Sequence, residues 1–482
     1  MSLELEKIEL EKVKTLEDAL VIIKLLVSEI FEIRAENTGL KKENSLLKER
    51  IAKLERNSSN SSKPPSSDIT KPKEEQRQSG KRKIGGQKDH KSNWRLKFKP
   101  EEIDKVKKLK LSECPNCKNK LKQIKEVKIY QQAELVDKPV IVTQYELQGA
   151  RCKCCDKIFY PELPKGVITG QIFGPKLLAL SGYMKSCMGV SISEISEFFT
   201  DVLKARISRA AVQNNILKVS EAIKPPYEEL CQAVSNQAAL NVDETGWKIN
   251  GQKHWVWLFC NRIIALFVIS KSRGCKVLEE VLGENFLGAL TSDFYSAYVK
   301  YASPKQQFCL AHLIRDVKFL TTLPDDISKK FGIKLLSYMR RVFKLWHSRT
   351  LYSELQWKKK TDRFKKDLQK YLHNQDLPKH SEAHRVQRRL VKHFTASFRF
   401  LESPKVYEPT NNLAERTLRP LVRLRRMSQG SRGQAGSDWT ARAASIVATC
   451  KIQNRSTWQF FQQAVNSYFF NSTAPSLIPT QQ

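Results

Sequence analysis

The sequence predicts a multidomain α/β protein with an extended N-terminal part, and three observations carry that expectation. A heptad of apolar residues runs over 16–54. Two close cysteine pairs punctuate residues 101–165. Short strand-like runs between 238 and 310 give way to a long helical stretch over 326–400.

With 482 residues the chain is too long for one ordinary core, and two to four structural units are expected. Its net charge of +34 adds self-repulsion, which makes sense if the partner is a polyanion. The two polyanions to weigh are nucleic acid and an anionic membrane. No apolar run reaches the length that spans a bilayer, and the most apolar early run, Ala19 to Val27, is broken by Lys24. The opening residues alternate Glu and Lys with single apolar residues, unlike a secretory signal. Nucleic acid is therefore the expected partner, no membrane is expected, and the expected location is a reducing cytoplasm. In that reducing setting, eleven cysteines point to metal ligands rather than disulfides.

The heptad places Leu16, Ile23, Ile30, Asn37, Asn44 and Ile51 at a, and Ala19, Leu26, Ile33, Leu40, Leu47 and Leu54 at d. Asparagine at an a position lowers stability but favours a parallel two-stranded pairing in fixed register, so a homodimer through this helix is expected. The alternative is a lone amphipathic helix packed on the body. The run Asn57 to Asp68 is a polar linker. Between Ile69 and Lys99 lie eleven Lys or Arg against three acids. This basic arm, with Lys81, Arg82 and Lys83 at its centre, is expected to contact DNA phosphates without reading sequence.

Cys114 and Cys117 form one CxxC pair, and Cys152 and Cys155 a second, separated by 34 residues. Four thiolates in two such pairs can close a tetrahedral zinc site, so a structural Zn²⁺ is expected, with β-like runs such as Val140 to Leu147 between them. Cys154 is a possible substitute ligand. Cys187, Cys260 and Cys309 lie in apolar runs and read as buried and inert. Further on, Ile192 to Leu203 and Ala210 to Ile223 are apolar-periodic segments joined by a short polar piece. They read either as a helix-turn-helix or as an ordinary helical pair.

Ala238 to Val242, His254 to Cys260 and Ile263 to Ile269 read as a three-stranded meander turning at Asn250-Gly251, with further short strands at Ala289 to Ser292 and Gln307 to Leu310. Residues 328–400 carry twenty Lys or Arg against five acids. A last helix is expected to start near Asn412, with Asn412 and Glu415 spaced as a capping box. Asp243 and Asp293 each end a strand-like run, a position that aims a carboxylate at the sheet edge. Glu415 starts the last helix and is followed by Arg416, Arg419, Arg423, Arg425 and Arg426, which suit a phosphate backbone. Three acids from two strands and a helix can hold two divalent cations for phosphodiester chemistry, Mg²⁺ being the hard ion that oxygen ligands favour and Mn²⁺ its substitute. The competing reading of Glu415 is an i,i+4 ion pair with Arg419.

In order along the chain, NSSNSSKPPSSD at 57–68, KRKIGGQKDHK at 81–91, the CxxC pairs, VDETGW at 242–247, SDFYSAY at 292–298, CLAHLIRD at 309–316 and TNNLAERTLRP at 410–420 resemble the insertion sequence 66 transposases. Lys88-Asp89-His90 and Met427-Ser428-Gln429 depart from that family's pattern. The resemblance implies a DDE transposase with an RNase H-like core and a helical insertion before the last acid. It implies that Asp243, Asp293 and Glu415 are catalytic, that His312, Arg315 and Asn412 line the site, and that DNA ends are cut to free a 3′-hydroxyl that attacks target DNA. It also admits small accessory proteins of the element as partners, and it implies a place in the bacterial cytoplasm, associated with the nucleoid. The expected layout is a coiled coil over 1–56, linker and arm over 57–100, zinc ribbon over 101–165, helical DNA-binding unit over 170–232, catalytic core over 235–450 and tail over 451–482. Two other functions fit the same features: a DNA-binding regulator without chemistry, and a nuclease that cuts without joining.

Overall fold

The structure is a computed structural model that describes residues 15–56, 98–109, 116, 118–120, 129–155, 157–301 and 304–479. Lys81, Arg82, Lys83, Cys114 and Cys117, with the expectations attached to them, lie outside the described residues. Two compact units are formed, one from Met1–Lys71, Pro164–Ile195 and Arg209–Gln482, the other from Pro72–Leu163 and Ser196–Ser208.

In the smaller unit, β1 (Ala150–Arg151) and β2 (Ile158–Phe159) pair antiparallel. The Cys152 N–H donates to the Lys157 carbonyl at 2.9 Å, closing the turn that carries Cys152, Cys154 and Cys155. Residues 141–149 form no strand, contrary to the β-like reading of Val140 to Leu147, because none of their backbone is paired in a ladder.

The larger unit begins with α1 (Leu16–Leu54), one continuous helix with the limits that the heptad predicts. Its seam residues Ile23, Leu26, Ile30, Leu40, Leu47 and Ile51 are exposed. Its C-terminal end meets the body: Ala52 is buried among core residues, and the Arg56 guanidinium lies 3.6 Å above the Phe319 ring. Ala52 is a b position, so this contact leaves the a/d seam open.

Next come α2 (Pro175–Tyr183), a π-type turn over Met184–Met188 and α3 (Ile192–Asp201), which passes into the smaller unit at Ser196; α4 (Arg209–Ala222) and α5 (Lys224–Val234) follow in the larger unit. Val212, Ile216 and Val219 of α4 are buried, so this helix is largely a packing element, with Asn214 and Glu221 on its exposed side.

The sheet follows. β3 (Ala239–Ile249), β4 (Gln252–Cys260) and β5 (Ala265–Ser270) form the expected antiparallel meander. Asn250 and Gly251 turn it with φ of 47° and 78°, the paired positive values that a two-residue hairpin needs. After α6 (Lys276–Leu282), β6 (Ala289–Ser292) runs parallel to β3; after α7 (Ser296–Tyr301), β7 (Gln306–Phe308) runs parallel to β6. The strand order is β5-β4-β3-β6-β7.

A helical insertion comes next: α8 (Leu310–Leu320), α9 (Asp326–His347), α10 (Glu354–His373), α11 (Glu382–Lys392) and α12 (Phe394–Phe398). It has its own core around Phe331, Leu335, Phe364, Leu368 and Leu390. Then α13 (Asn412–Ser428), α14 (Gln434–Ile452) and α15 (Thr457–Phe469) close the fold. The residues expected as a tail thus include α15, whose Phe460, Phe461 and Ala464 are buried.

One face of the sheet decides where the site sits. Alternation puts Asn241, Asp243, Thr245 and Trp247 of β3 on the face that also carries Val256 and Leu258 of β4 and Phe267 of β5. Ala414, Leu418 and Leu421 of α13 pack against that apolar set. On the outer strand, Ser445 and Thr449 of α14 accept the Phe267 and Ala265 N–H groups at 2.8 and 3.0 Å. Those donors would otherwise be an open sheet edge.

Candidate active site

β3 and β6 run in parallel, with Asn241 beside Thr291. Carrying that register two residues on sets Asp243 beside Asp293, at the point where the strands stop pairing. The Asp243 carboxylate accepts the Glu244 N–H at 2.9 Å, and the Asp293 carboxylate accepts the Tyr295 N–H at 2.8 Å. Glu415 reaches the same place from the first turn of α13.

The start of α13 is fixed by Asn411. Its buried side-chain amide donates to the Val242 carbonyl at 2.7 Å and accepts from the Asn241 amide at 2.9 Å. Its N–H donates to the Cys309 sulfur at 3.1 Å. The expectation of a capping box at Asn412 is therefore corrected. The cap residue is Asn411, whose side chain makes no cap hydrogen bond because it is engaged with β3. Asn412 is exposed inside the first turn.

His312 and Arg315 of α8 both face Glu415: His312 Nδ1 lies 3.7 Å from Glu415 Oε1, and Arg315 Nη2 lies 3.8 Å from Oε2. The ion pairs of Glu415 among the described residues are with these two and not with Arg419. Ligand atoms of Cys309, His312 and Glu415 lie within 4.8 Å of one another. Cys309, expected to be an inert core thiol, is buried as expected but stands at the edge of this cluster.

Burial, then the Glu244 and Asp293 carboxylates, hold the Asp243 carboxyl well above the usual carboxylate range. Burial also raises Asp293; Arg273 and Arg389 oppose the rise, and Glu415 adds to it. Burial lowers His312, assisted by Arg315, against the pull of Glu415. Glu244 is raised by burial and by Asp293, but it points to the opposite face of the sheet. There it is held by Arg273 at 2.7 Å and by the Tyr298 hydroxyl, and Arg273 lies 4.2 Å above the Trp255 ring.

Two buried atoms of the cluster, Glu415 Oε1 and His312 Nδ1, have no hydrogen-bond partner. Carboxylates that repel one another, with an unpaired buried oxygen among them, are the environment a divalent cation would relieve. The donor set therefore fits such an ion.

Of the arginines after Glu415, Arg416, Arg419, Arg423 and Arg426 are exposed. Arg425 is not free for DNA: its guanidinium donates to Thr245 Oγ1 at 2.8 Å and to the Gly246 carbonyl, tying α13 to β3. Sequence reasoning missed Asn411, one residue from the asparagine it chose, and Arg389. Nothing distinguishes Arg389 from nineteen other cations of the insertion until the fold brings α11 to α8, where it pairs with Asp316 and lies 4.7 Å from the Phe294 ring.

Residues 170–441, more than half of the 482-residue chain, match the family model described as Transposase IS66 family. Residues 9–95 match a second model, described as a family of unknown function (DUF6444). No curated protein matches the chain.

Proposed function

The chain belongs to the insertion sequence 66 transposase family, and from that premise we propose that it cuts DNA at the ends of its element and joins the freed 3′-hydroxyl to target DNA, using Asp243, Asp293 and Glu415. One observation carries this reading: two strand-end aspartates and a glutamate from α13 meet in a mutually repelling cluster in which a buried Glu415 oxygen has no hydrogen-bond partner. The strand order, three antiparallel strands followed by two parallel ones, supports an RNase H-like core.

In this mechanism Asp243, Asp293 and Glu415 would hold two Mg²⁺ ions, which supply activation of the attacking oxygen and stabilisation of the leaving one. Arg315 offsets part of the Glu415 charge, and His312, whose basicity burial lowers, presents a ring nitrogen beside it. Arg416, Arg419, Arg423 and Arg426 stand on exposed positions of α13 and hold phosphates, which orients DNA without reading sequence. The insertion contributes Arg389 beside Asp293.

Three further readings belong to this proposal. The open a/d seam of α1 supports a homodimer through residues 16–54. The turn between β1 and β2 offers Cys152 and Cys155 as half of a zinc site that Cys114 and Cys117 would complete. No helix among the described residues is long and apolar enough to cross a membrane, which is in keeping with work on DNA in the cytoplasm.

The test uses purified full-length protein, duplexes carrying the element's ends, and Mg²⁺. Asp243→Ala, Asp293→Ala and Glu415→Ala should each lower cleavage at least about 100-fold, a loss of ~2.7 kcal/mol of transition-state stabilisation, while the proteins still shift the duplex in a gel. Variants that cut as well as the parent would sink the assignment. A pre-cut end separates transposase from nuclease: cutting without a joined product favours the nuclease.

A further inference from the structure

On the sheet face that carries Asp243, α13 covers β3 and β4 while α14 covers β5, and a cavity of about 740 Å³ lies between the two helices. That size is within the range of sites for small organic ligands, about 300–1,000 Å³. Trp247 and Phe267 of the sheet line it, as do Gln213 and Leu217 of α4. From α13, the stripe Leu413, Thr417, Pro420, Leu424 and Met427 faces in, at the spacing of one helical face. From α14, Trp439, Ala443, Ala444 and Val447 face in.

The charge around this apolar interior is one-sided. Lys185, Arg416, Arg423, Arg432 and Lys451 line the cavity, and among the described residues no acidic one does. Four of the five are exposed, and Lys185 is half-buried with its ammonium donating to the Val190 carbonyl at 3.3 Å. The fitting ligand has a flat or apolar body and carries anionic groups. Position narrows the choice. Arg416 and Thr417 directly follow Glu415, and Trp247 shares a strand face with Asp243 four residues away, about 13 Å along the strand. Glu415 and the cavity-lining stripe stand on opposite sides of α13, so a strand held at the acids reaches the cavity by crossing the exposed turn that carries Arg416 and Arg419.

We propose that the cleft between α13 and α14 receives an unpaired nucleotide next to the strand end, with its base among the apolar walls and its phosphates on Arg416, Arg423 and Arg432. This rests on the reading of the chain as a DNA-cutting enzyme. Arginine rims and aromatic walls are the means by which proteins hold unpaired bases without reading sequence. An apolar peptide would find no acid-matching use for the rim. The rim chemistry matches a polyphosphate strand, which the neighbouring acids also require.

The test is a binding ratio, measured on full-length protein carrying Asp243→Asn and without divalent metal, so that nothing is cut. Fluorescence anisotropy compares a blunt duplex with the same duplex bearing three unpaired nucleotides at one 3′ end. The tailed duplex should bind roughly tenfold tighter, the weight of one seated base. Ala435→Trp places bulk at an exposed position of the cleft wall, and it should bring the ratio to near one while thermal unfolding is unchanged. Arg432→Ala should lower the ratio as well. A 2-aminopurine as the unpaired base should be quenched on binding to the parent and not to Ala435→Trp. Equal binding of blunt and tailed duplex, or a preference that survives Ala435→Trp, would overturn the proposal. If the Asp243-containing protein fails to cut DNA in Mg²⁺, the catalytic reading falls, while the binding ratio still reports on the cleft.

Discussion

At Asn411 and Asn412 two identical neighbours have opposite environments. Asn411 is buried and bridges α13 to the Val242 carbonyl and the Asn241 amide, whereas Asn412 is exposed. Truncating Asn411 strands both partners in a dry site, at a cost of about 1–3 kcal/mol for each group left unpaired. Asn411→Ala should therefore lower the unfolding free energy by about 2 kcal/mol or more in urea titration, and Asn412→Ala by less than about 0.5 kcal/mol. Equal effects would contradict the assigned cap. The acids make a second residue-scale prediction. Asp243 is raised chiefly by burial and then by its acidic neighbours, so the folded chain binds its proton more tightly than the unfolded chain does. The sign follows: its contribution is full below the unfolded carboxylate range and is lost as pH rises through the folded value. At neutral pH without metal, Asp243→Asn should raise the melting temperature by roughly 2 °C or more. Mg²⁺ should stabilise the parent and do less for the variant. A lower melting temperature for Asp243→Asn in chelator would refute this account.

At the scale of elements, α1 and α13 respond to different forces. The heptad is local information, and the observed helix has the limits it predicts. Docking through Ala52 and Arg56 fixes the end of α1 to the insertion and leaves the seam exposed over its length. Apolar seams of that length are stable when a second helix covers them. Light scattering should give twice the chain mass for the full-length protein. Leu26→Glu combined with Leu40→Glu should return the mass of one chain without altering the melting of the body. A parent already at one chain mass would remove the dimer reading. In α13 the local pattern misplaced the cap by one residue, because the competing asparagines differ only in what β3 offers them. Arg425 shows the same limit: it is one of five arginines in sequence, and it alone is tied to Thr245 and Gly246.

For the whole molecule, net charge +34 and the exposed arginines of α13 set the response to salt. Each neutralised phosphate releases a counterion, so binding to duplex DNA should weaken with a log–log slope of about −4 or steeper. Replacing Arg416, Arg419, Arg423 and Arg426 together by alanine should reduce that slope by about 3 to 4, as read by anisotropy between 50 and 200 mM salt. An unchanged slope would place the phosphate contacts elsewhere on the chain. The molecule also joins what the linear order separates. Asp293 and Glu415 stand 122 positions apart, and the helices between them build a core that takes in Ala289 of β6 and returns Arg389 to the acids.

By itself the sequence determined the periodic and local features: the α1 helix, the Asn250-Gly251 meander, the β6 strand and the strand-end placement of Asp243 and Asp293. Those depend on residues a few positions apart, through helix period, strand alternation and turn conformation. Only the tertiary structure decided that Glu415 joins those aspartates, that Asn411 rather than Asn412 is the buried clamp, and that Arg425 is internal. It also decided that a cation-rimmed cleft opens on the side of α13 away from Glu415. These outcomes depend on which groups burial and long-range packing bring together. No local pattern encodes the desolvation that raises Asp243 and Asp293.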